Sequence, residues 1–227
     1  MPEWPYPAID PTQNQILLAV GRKGSGKSAA GREHLRAWPG IDRLVIDING
    51  DADPGDDLEP KVLRGPVTAL PKRERPDVPE TYRWIADPSS PTFADDIDHV
   101  IGAALYPRER PVLLWVDEIG EVFPAGRLGP NARTWLHQSR HFNVSGILCG
   151  PRPKGVDPLC VSQADRVLMF EVPNPLDRQR LAENMGIPPL TLARELNVTK
   201  KRGQHWSTLF VAAEHRLYRI PPFQLTA

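Results

Sequence analysis

The sequence predicts an α/β fold in which a mainly parallel sheet carries helices on both faces. Short apolar runs alternate with segments of helical periodicity over roughly 150 residues, the pattern of a parallel sheet with crossover helices. Residues 111–116 form a continuous apolar run, which is typical of a strand buried on both faces. A glycine-rich segment also separates the first apolar run from the first helical segment, as expected of a strand–loop–helix unit.

The elements follow from these patterns in chain order. The predicted strands are residues 15–20, 43–48, 81–86, 111–116, 144–149, 165–170, 206–212 and 216–220. The predicted helices are residues 28–38, 91–106, 131–142, 176–185 and 190–196. The last two strands are expected to close the domain.

Turn and cap signals set several of these boundaries. Pro39 and Gly40 end the first helix, and Thr92 is the predicted cap of the second. Residues 52–80 are rich in Pro, Asp and Arg and predict a surface excursion, after which the strand at 81–86 is a candidate for a sheet edge. The segment 119–129 predicts a loop.

Residues 1–14 predict an extended N-terminal arm, and residues 15–227 a single domain. Lys plus Arg (28) balance Asp plus Glu (28), so any contact with nucleic acid requires a local patch or a ring of subunits. The sequence shows neither a signal peptide nor a membrane-spanning apolar run, which predicts a cytoplasmic protein. Cys149 and Cys160 are predicted to be buried, reduced thiols.

A phosphate-binding loop follows the first predicted strand. The pattern G-x-x-x-x-G-K-[ST] is matched by Gly21, Arg22, Lys23, Gly24, Ser25, Gly26, Lys27 and Ser28. The glycines let the backbone approach a phosphate, and the helix N-terminus adds aligned dipoles. Lys27 is predicted to contact the β- and γ-phosphates of ATP, and the Ser28 hydroxyl to bind Mg²⁺.

Two acidic residues end the buried strand at 111–116. Asp117 suits the second ligand of Mg²⁺, and Glu118 can polarise a water molecule that attacks the γ-phosphate. The long separation between the loop and Asp117 indicates an extra strand between the two motif strands, as in RecA-like P-loop NTPases of the additional-strand, catalytic-glutamate class. Neither an Asn-Lys-x-Asp motif nor a Leu-Ser-Gly-Gly-Gln motif is present, which disfavours switch GTPases and ABC-type ATPases.

With these motifs placed, the chain resembles the FtsK–HerA superfamily over residues 15–220, and within it the packaging ATPases of tailless, membrane-containing viruses. The resemblance rests on the phosphate loop, on residues 45–51 and 113–118, and on the Arg-His, strand, Arg-Pro pattern from Arg140 to Pro153. It implies an ATP-hydrolysing motor that moves double-stranded DNA as a homohexameric ring. A capsid vertex or portal protein is a further implied partner, and the host cytoplasm or the virion the implied location.

The resemblance also implies residues that act on the γ-phosphate. An arginine finger is supplied in trans, and Arg140 and Arg152 are the first candidates, with Arg133 as a third. A polar sensor is expected just before Arg152, where this chain has Pro151. Either Gln138 takes that role or the register of the pattern is shifted.

Alternatives stay open at this point. A zonula-occludens-toxin-like assembly or secretion ATPase shares the motifs, and a P-loop kinase of small molecules shares the phosphate loop. For a DNA motor, two cationic segments are candidate DNA contacts, namely residues 72–75 and the loop that carries Arg127 and Arg133.

Overall fold

A nine-stranded sheet runs through the computed structural model, which describes residues 14–37, 42–71, 78–106 and 111–222. The strands are β1 (Ile16–Val20), β2 (Asp42–Asp47), β3 (Lys61–Arg64), β4 (Thr81–Ile85), β5 (Val112–Val116), β6 (Val144–Gly150), β7 (Arg166–Met169), β8 (Ser207–Val211) and β9 (Arg216–Ile220). Their order across the sheet is β3-β4-β2-β5-β6-β1-β7-β8-β9. In this order, neighbouring strands pair in parallel from β3 at one edge as far as β7. Strand β8 pairs with β7, and β9 with β8, in antiparallel orientation.

The helices connect these strands. They are α1 (Lys27–Ala37), α2 (Phe93–Leu105), α3 (Ile119–Val122), α4 (Pro130–Phe142), α5 (Leu159–Ser162), α6 (Pro175–Asn184) and α7 (Pro189–Arg202). Helices α2 and α4 pack against each other, and α6 packs against α7. The mainly parallel sheet and its helices confirm the predicted α/β class.

Strand β6 lies between β1 and β5 and pairs with both of them in parallel. The strand that precedes the phosphate loop and the strand that ends in Asp117 are therefore separated by one additional strand. This confirms the topology predicted from the spacing of the two motifs. Because β1, β5 and β6 run in the same direction, their carboxyl ends meet at one edge of the sheet.

The core consists of two apolar layers, one on each face of the sheet. Alternate residues of β5 divide between them: Leu114 and Val116 join the layer that contains α2 and α4, whereas Leu113 and Trp115 join the layer under α1. A strand buried on both faces needs apolar residues at every position, and all five residues of β5 are buried. The continuous apolar run is thus explained by its central place in the sheet.

The sequence-based expectation was wrong at one edge of the sheet. The segment 52–80, expected to be a surface excursion, contains the strand β3, which pairs with β4. Strand β4 therefore lies inside the sheet rather than at its edge, and Trp84 is 1% exposed. Alternate positions of β3 are exposed, so the strand has no apolar run by which it could be recognised.

Two local expectations also need correction. Thr92 is the N-cap residue of α2 by position, but its hydroxyl donates to the Asp96 carboxylate at 3.0 Å instead of capping a backbone N–H. The predicted loop at 119–129 begins with the short helix α3. Both cysteines are free and buried as expected, and Cys160 lies in α5.

Some predictions fall on residues outside the described ranges. The arm predicted at 1–14 lies there except for Asn14, and so does the cationic segment 72–75. The boundary between arm and domain stays a prediction. Within the described ranges, no helix is long and apolar enough to cross a membrane.

Candidate nucleotide-binding and catalytic site

The phosphate loop occupies the turn between the end of β1 and the start of α1. A Cβ atom on Gly21 would lie 2.7 Å from the Cβ of Phe170 and 2.9 Å from the Ser25 hydroxyl oxygen, so this position accepts only glycine. Gly26 has φ 105°, a backbone conformation that residues with a Cβ atom rarely adopt. Its carbonyl accepts a hydrogen bond from the Ala30 N–H at 2.9 Å. The motif therefore folds into a tight loop that continues directly into α1.

Lys27 and Ser28 lie at the N-terminus of α1, where the free N–H groups of the helix attract anions. The Lys27 ammonium donates to the carbonyl of Arg22 at 3.1 Å, so the side chain folds back across the loop. Burial lowers the pKa of Lys27, and the charges of Asp117 and Glu118 act in the opposite direction. The lysine is thus a cation held at the place where the loop would hold the end of a phosphate chain.

Asp117 faces the loop from the end of β5. The Ser28 hydroxyl donates to its carboxylate at 3.4 Å, which brings together the two predicted magnesium ligands. Burial, together with the neighbouring charges of Asp51 and Glu118, raises the pKa of Asp117 to about 6. This crowding of carboxylates favours the binding of a cation.

The donor set fits Mg²⁺. In the described ranges, no three His, Cys, Asp or Glu side chains converge closely enough to hold a metal ion by themselves. Mg²⁺ does not need such a cage, because it commonly uses one or two protein oxygens together with nucleotide phosphates and water. Ser28 and Asp117 are the residues that would hold it.

Glu118 follows Asp117 in a left-handed backbone conformation, with φ 63° and ψ 59°. Burial raises the pKa of its carboxyl group, and the charge of Lys27 opposes this effect. A carboxylate with a raised pKa is a better proton acceptor than an exposed one. A glutamate in this conformation is strained, and such strain is found most often at functional sites.

These residues line a cleft of about 300 Å³ at the carboxyl edge of the sheet. It contains Lys23, Gly24, Lys27, Ser28, Asn49, Asp51, Asp117, Glu118, Cys149, Gly150 and Pro151. Four of the eight predicted loop residues, including Lys27 and Ser28, therefore meet both predicted acids in one place.

Asn49 and Asp51 are cleft residues to which the sequence assigned no role. They lie in the turn after β2, which the fully buried Asp47 shapes by accepting the N–H groups of Gly50 and Ala52. Arg83 from β4 donates to the other Asp47 oxygen at 2.6 Å. Strands β2 and β5 are neighbours in the sheet, so the turn after β2 lies beside Asp117. These two cleft residues could therefore be found from the order of the strands and not from a sequence motif.

The expected sensor position does lie in the cleft, but Pro151 offers no polar side chain there. Gln138, the other candidate, is exposed at a kink in α4 and is not among the residues that line the cleft. Asn49 lines the cleft and offers a neutral amide side chain.

The structure separates the two first candidates for the arginine finger. Arg140 lies 3.8 Å from Asp165, at the edge where β7 begins and opposite the phosphate loop. Arg152 lies near the loop, in a pocket shared with Arg22 and Lys23, and donates to the buried Asp177 at 3.1 Å. Arg127 and Arg133 are exposed between α3 and the second turn of α4.

The outer side of the phosphate loop is attached to the C-terminal part of the chain. Glu171 pairs with Arg22 of the loop and with Lys200 of α7, and His205 contacts the carbonyl of Ser25 at 3.2 Å. Between these residues lies a second pocket of about 220 Å³. It is lined by Arg22, Gly24, Ser25, Phe170, Glu171, Leu196, Thr199, Lys200, Gly203, Gln204, His205 and Trp206. We call it the outer pocket.

Comparison of the sequence with protein-family models and with characterised proteins finds no match. Comparison with solved structures finds similar folds. One is the genome packaging NTPase B204 from Sulfolobus turreted icosahedral virus 2 in complex with ATP-gammaS, with a TM-score of 0.68, 19% identity, and coverage of 94% of this chain and 99% of that one.

Two further matches are more distant. The N-terminal domain of zonular occludens toxin from Neisseria meningitidis has a TM-score of 0.50 and 16% identity over 93% of this chain and 96% of that one. The pCW3 conjugation coupling protein TcpA has a TM-score of 0.59 and 12% identity over 96% of this chain and 62% of that one. These comparisons confirm the P-loop NTPase fold and, at the level of fold, the resemblance to packaging ATPases.

Proposed function

We propose that this chain is an ATP-hydrolysing motor that translocates double-stranded DNA, and that it packages a viral genome. The observation that carries the proposal is the cleft in which Lys27, Ser28, Asp117 and Glu118 converge. The likeness of fold to the B204 packaging NTPase over nearly the whole of both chains supports the choice of motor. The zonular occludens toxin domain matches with a lower TM-score, so an assembly ATPase is the second candidate.

The proposed roles follow from the positions of the side chains. The loop amides and Lys27 bind the β- and γ-phosphates, and Ser28 and Asp117 would hold Mg²⁺, which would offset the charge of the phosphate oxygens. Glu118 accepts a proton from the attacking water, for which its raised pKa suits it. Asn49 lines the same cleft and is proposed to orient that water or the γ-phosphate, since Pro151 has no polar side chain.

The motor is proposed to act as a homohexameric ring, with the arginine finger of one subunit, Arg140 or Arg152, reaching the ATP of the next. A capsid vertex or portal protein is the proposed docking partner, in the host cytoplasm or in the virion. Arg127 and Arg133 are proposed to face the DNA. They are exposed and follow Glu118 in the chain, so hydrolysis can move them.

The test is ATP hydrolysis by the purified protein with and without double-stranded DNA. The motor proposal predicts stimulation by DNA, whereas an assembly ATPase would be indifferent to it. We expect Lys27→Ala to lose tight ATP binding and Glu118→Gln to bind ATP without turnover, because an amide cannot accept the proton. Near wild-type hydrolysis by Lys27→Ala would refute the site.

The DNA contact has its own measurement. Phosphate contacts make DNA binding weaker as salt is added. The logarithm of the affinity falls with the logarithm of the salt concentration, and each phosphate contact adds about 0.9 to the slope. Arg127→Ala and Arg133→Ala, measured singly, are expected to flatten that slope and to weaken DNA stimulation. Basal hydrolysis is expected to persist in Arg127→Ala, whereas its loss in Arg133→Ala would identify Arg133 as the arginine finger. An unchanged slope in both variants would exclude this loop as the DNA contact.

A further inference from the structure

The segment that follows β6 places Arg152 beside the phosphate loop. The pocket that Arg152 shares with Lys23 has a volume of about 590 Å³. We call it the proline pocket, because its wall contains Pro151, Pro173 and Pro175. Lys23 and Pro151 line both this pocket and the cleft. Arg152 therefore lies next to the place where Lys27 would hold the γ-phosphate.

Asp177 is the partner of Arg152 and belongs to the first turn of α6. It is 2% exposed, and its Oδ2 atom accepts a hydrogen bond from the Arg152 Nε–H at 3.1 Å. Its Oδ1 atom is buried and has no hydrogen-bond partner among the described residues. A buried carboxylate needs a compensating charge, so Asp177 depends on Arg152 for its only ion pair in the part of the chain that the structure describes.

The backbone on both sides of this pair is restrained. Pro151 and Pro153 flank Arg152 and limit the conformations of its backbone, and Pro153 is buried. On the other side, the Asn174 side chain caps α6 by accepting the Leu176 N–H at 2.9 Å. The fold therefore sets the distance between the guanidinium and the carboxylate before a nucleotide binds.

The pair leaves the outer edge of the guanidinium available. The Arg152 side chain is 55% exposed, and among the described residues Asp177 is its one hydrogen-bond partner. Because Asp177 uses Nε, the terminal Nη groups remain for another acceptor. Guanidinium groups bind phosphate oxygens through such paired N–H groups, so an arginine held in this way is oriented for a phosphate.

The same contact restrains Arg152 to its own subunit. To reach the ATP of a neighbour, the side chain would have to leave Asp177, and the buried carboxylate would lose its cation at a high cost in free energy. Arg140 differs in this respect. Its partner Asp165 lies 3.8 Å away with a side chain that is 34% exposed, so water can replace Arg140 when it moves.

Given the proposed function, we propose that Asp177 is a positioning residue, which orients Arg152 toward the γ-phosphate of the ATP bound to its own subunit. Arg152 then contacts the γ-phosphate from the side of the loop, where Pro151 has no polar group to offer. Of the two first candidates for the arginine finger, Arg140 is the one left for the neighbouring subunit.

The first experiment compares the binding of ATPγS and ADP by the full chain, at protein concentrations at which it sediments as a monomer. Arg152→Ala and Asp177→Asn are each expected to weaken ATPγS binding by about tenfold, since a charge-assisted contact to the γ-phosphate is lost or misaligned. ADP has no γ-phosphate, so its binding is expected to be unchanged.

The use of monomers decides between the two subunits. An arginine that acts only in trans cannot affect an isolated subunit, so unchanged ATPγS binding by monomeric Arg152→Ala would overturn the proposal. Unchanged binding by Asp177→Asn, or an equal loss for ADP, would overturn the positioning role of Asp177. Failure of the proposed function gives a different result, because hydrolysis would then not respond to DNA while these effects on ATPγS binding persist.

The double variant separates positioning from support of the fold. If Asp177 acts through Arg152, Arg152→Ala combined with Asp177→Asn is expected to bind ATPγS no more weakly than Arg152→Ala alone. It is also expected to unfold at a higher urea concentration than Arg152→Ala, because the uncompensated carboxylate has been removed. A further loss of ATPγS affinity in the double variant would show that Asp177 acts independently of Arg152.

The pair of Arg219 and Glu195 provides the matched control. Arg219 also donates through Nε to a carboxylate, at 2.8 Å, and this pair joins β9 to α7. Neither residue lines the cleft or the proline pocket. Arg219→Ala and Glu195→Gln are therefore expected to leave the affinities for ATPγS and ADP unchanged, and a tenfold loss of ATPγS binding in either would show that the effect is not specific to Arg152 and Asp177.

Discussion

At the scale of single residues, Glu118 is held in a conformation that favours glycine. Its φ of 63° places the backbone in the left-handed region, and the charges of Glu121 and Asp51 add to burial in raising the pKa of its carboxyl group. The left-handed conformation and the burial of an ionised carboxylate each lower the stability of the fold. The structure retains a glutamate here because the turn after β5 aims a carboxylate at the cleft, which glycine cannot supply.

We expect Glu118→Gly to stabilise the fold and to abolish hydrolysis. Relief of the left-handed strain outweighs the entropy cost of glycine by roughly 0.5–1 kcal/mol. Glu118→Gln is the control, because it removes the charge and keeps the strained conformation. Urea unfolding of both variants measures the difference, and a glycine variant no more stable than the glutamine variant would contradict this account.

His34 illustrates a buried titratable group. It is 4% exposed in α1, and its Nδ1–H donates to the Ala30 carbonyl at 2.8 Å. Burial lowers its pKa from 6.5 to about 4, and the charge of Arg166 acts in the same direction. Between these two pH values the unfolded chain binds more protons than the folded one, so stability is full above about 6.5 and falls as the pH is lowered towards 4.

The prediction is that His34 accounts for about 3 kcal/mol of acid destabilisation at pH 4. His34→Leu is expected to lose that much less stability than the wild type between pH 7.5 and pH 4, whatever its stability at neutral pH. Urea midpoints across this range provide the measurement. Parallel curves for the two proteins would show that the histidine is already protonated in the folded state or accessible to water.

At the scale of elements, α1 and β5 are fixed to each other by a close contact. A Cβ atom on Gly31 would lie 2.9 Å from the indole of Trp115. Gly31 is about one helical turn beyond Lys27, and Trp115 is two residues before Asp117. The contact therefore sets the distance between the two halves of the catalytic site.

We expect Gly31→Ala to destabilise the protein by about 1–3 kcal/mol, even though alanine is the better helix former. The added methyl group must displace α1 from β5, so ATP binding should weaken as well. Gly120→Ala is the control for stability, because the nearest atom to its Cβ is 3.8 Å away. A stabilised Gly31→Ala variant would show that Trp115 can move aside.

The sequence predicted the central elements better than the peripheral ones, for physical reasons. Strand β5 is buried on both faces, so its apolar run is visible, whereas β3 alternates and Val62 is 52% exposed. Helix α7 was predicted to end at 196 but continues to Arg202. All but one of the residues after Leu196 in this helix are polar, and Thr199 keeps contact with β8 through Thr208. The apolar pattern ends before the helix does.

The same distinction holds within the site. Lys27, Ser28, Asp117 and Glu118 belong to short motifs, and each motif lies in a local turn. Asn49, Asp51 and the outer pocket depend on the order of strands in the sheet, which spacing alone does not determine. At Pro151 the motif predicted the position correctly but not the function. The residue lines the cleft, yet its side chain is not the polar sensor that the motif led us to expect.

At the scale of the whole molecule, the sheet separates Arg140 from the phosphate loop of its own chain. Asp165, its partner, precedes β7 and also accepts the N–H of Ile16 at the start of β1. The loop follows the other end of β1. Arg140 therefore lies away from the phosphate loop of its own chain and, in the proposed ring, would act on the ATP of a neighbouring subunit, whereas Arg152 lies on the side of the loop.

Mixing of inactive variants tests this prediction. If Arg140 is the finger in trans, Lys27→Ala and Arg140→Ala subunits combined in one ring are expected to recover part of the hydrolysis that neither has alone. Lys27→Ala mixed with Glu118→Gln is the control, because both changes disable the site of their own subunit. Wild-type hydrolysis by Arg140→Ala alone would exclude this residue, and Arg152 and Arg133 would be tested in the same way.

The contact between His205 and Ser25 joins residues 180 positions apart. A ribosome makes the phosphate loop early and the turn at 203–206 among the last described residues, after seven of the nine strands in chain order. A growing chain can thus form most of the sheet while the outer pocket still lacks a wall. The phosphate loop of such a chain still lacks the pairing of Glu171 with Lys200 and the contact of Ser25 with His205, so the loop gains its outer support only when the C-terminal part has been made.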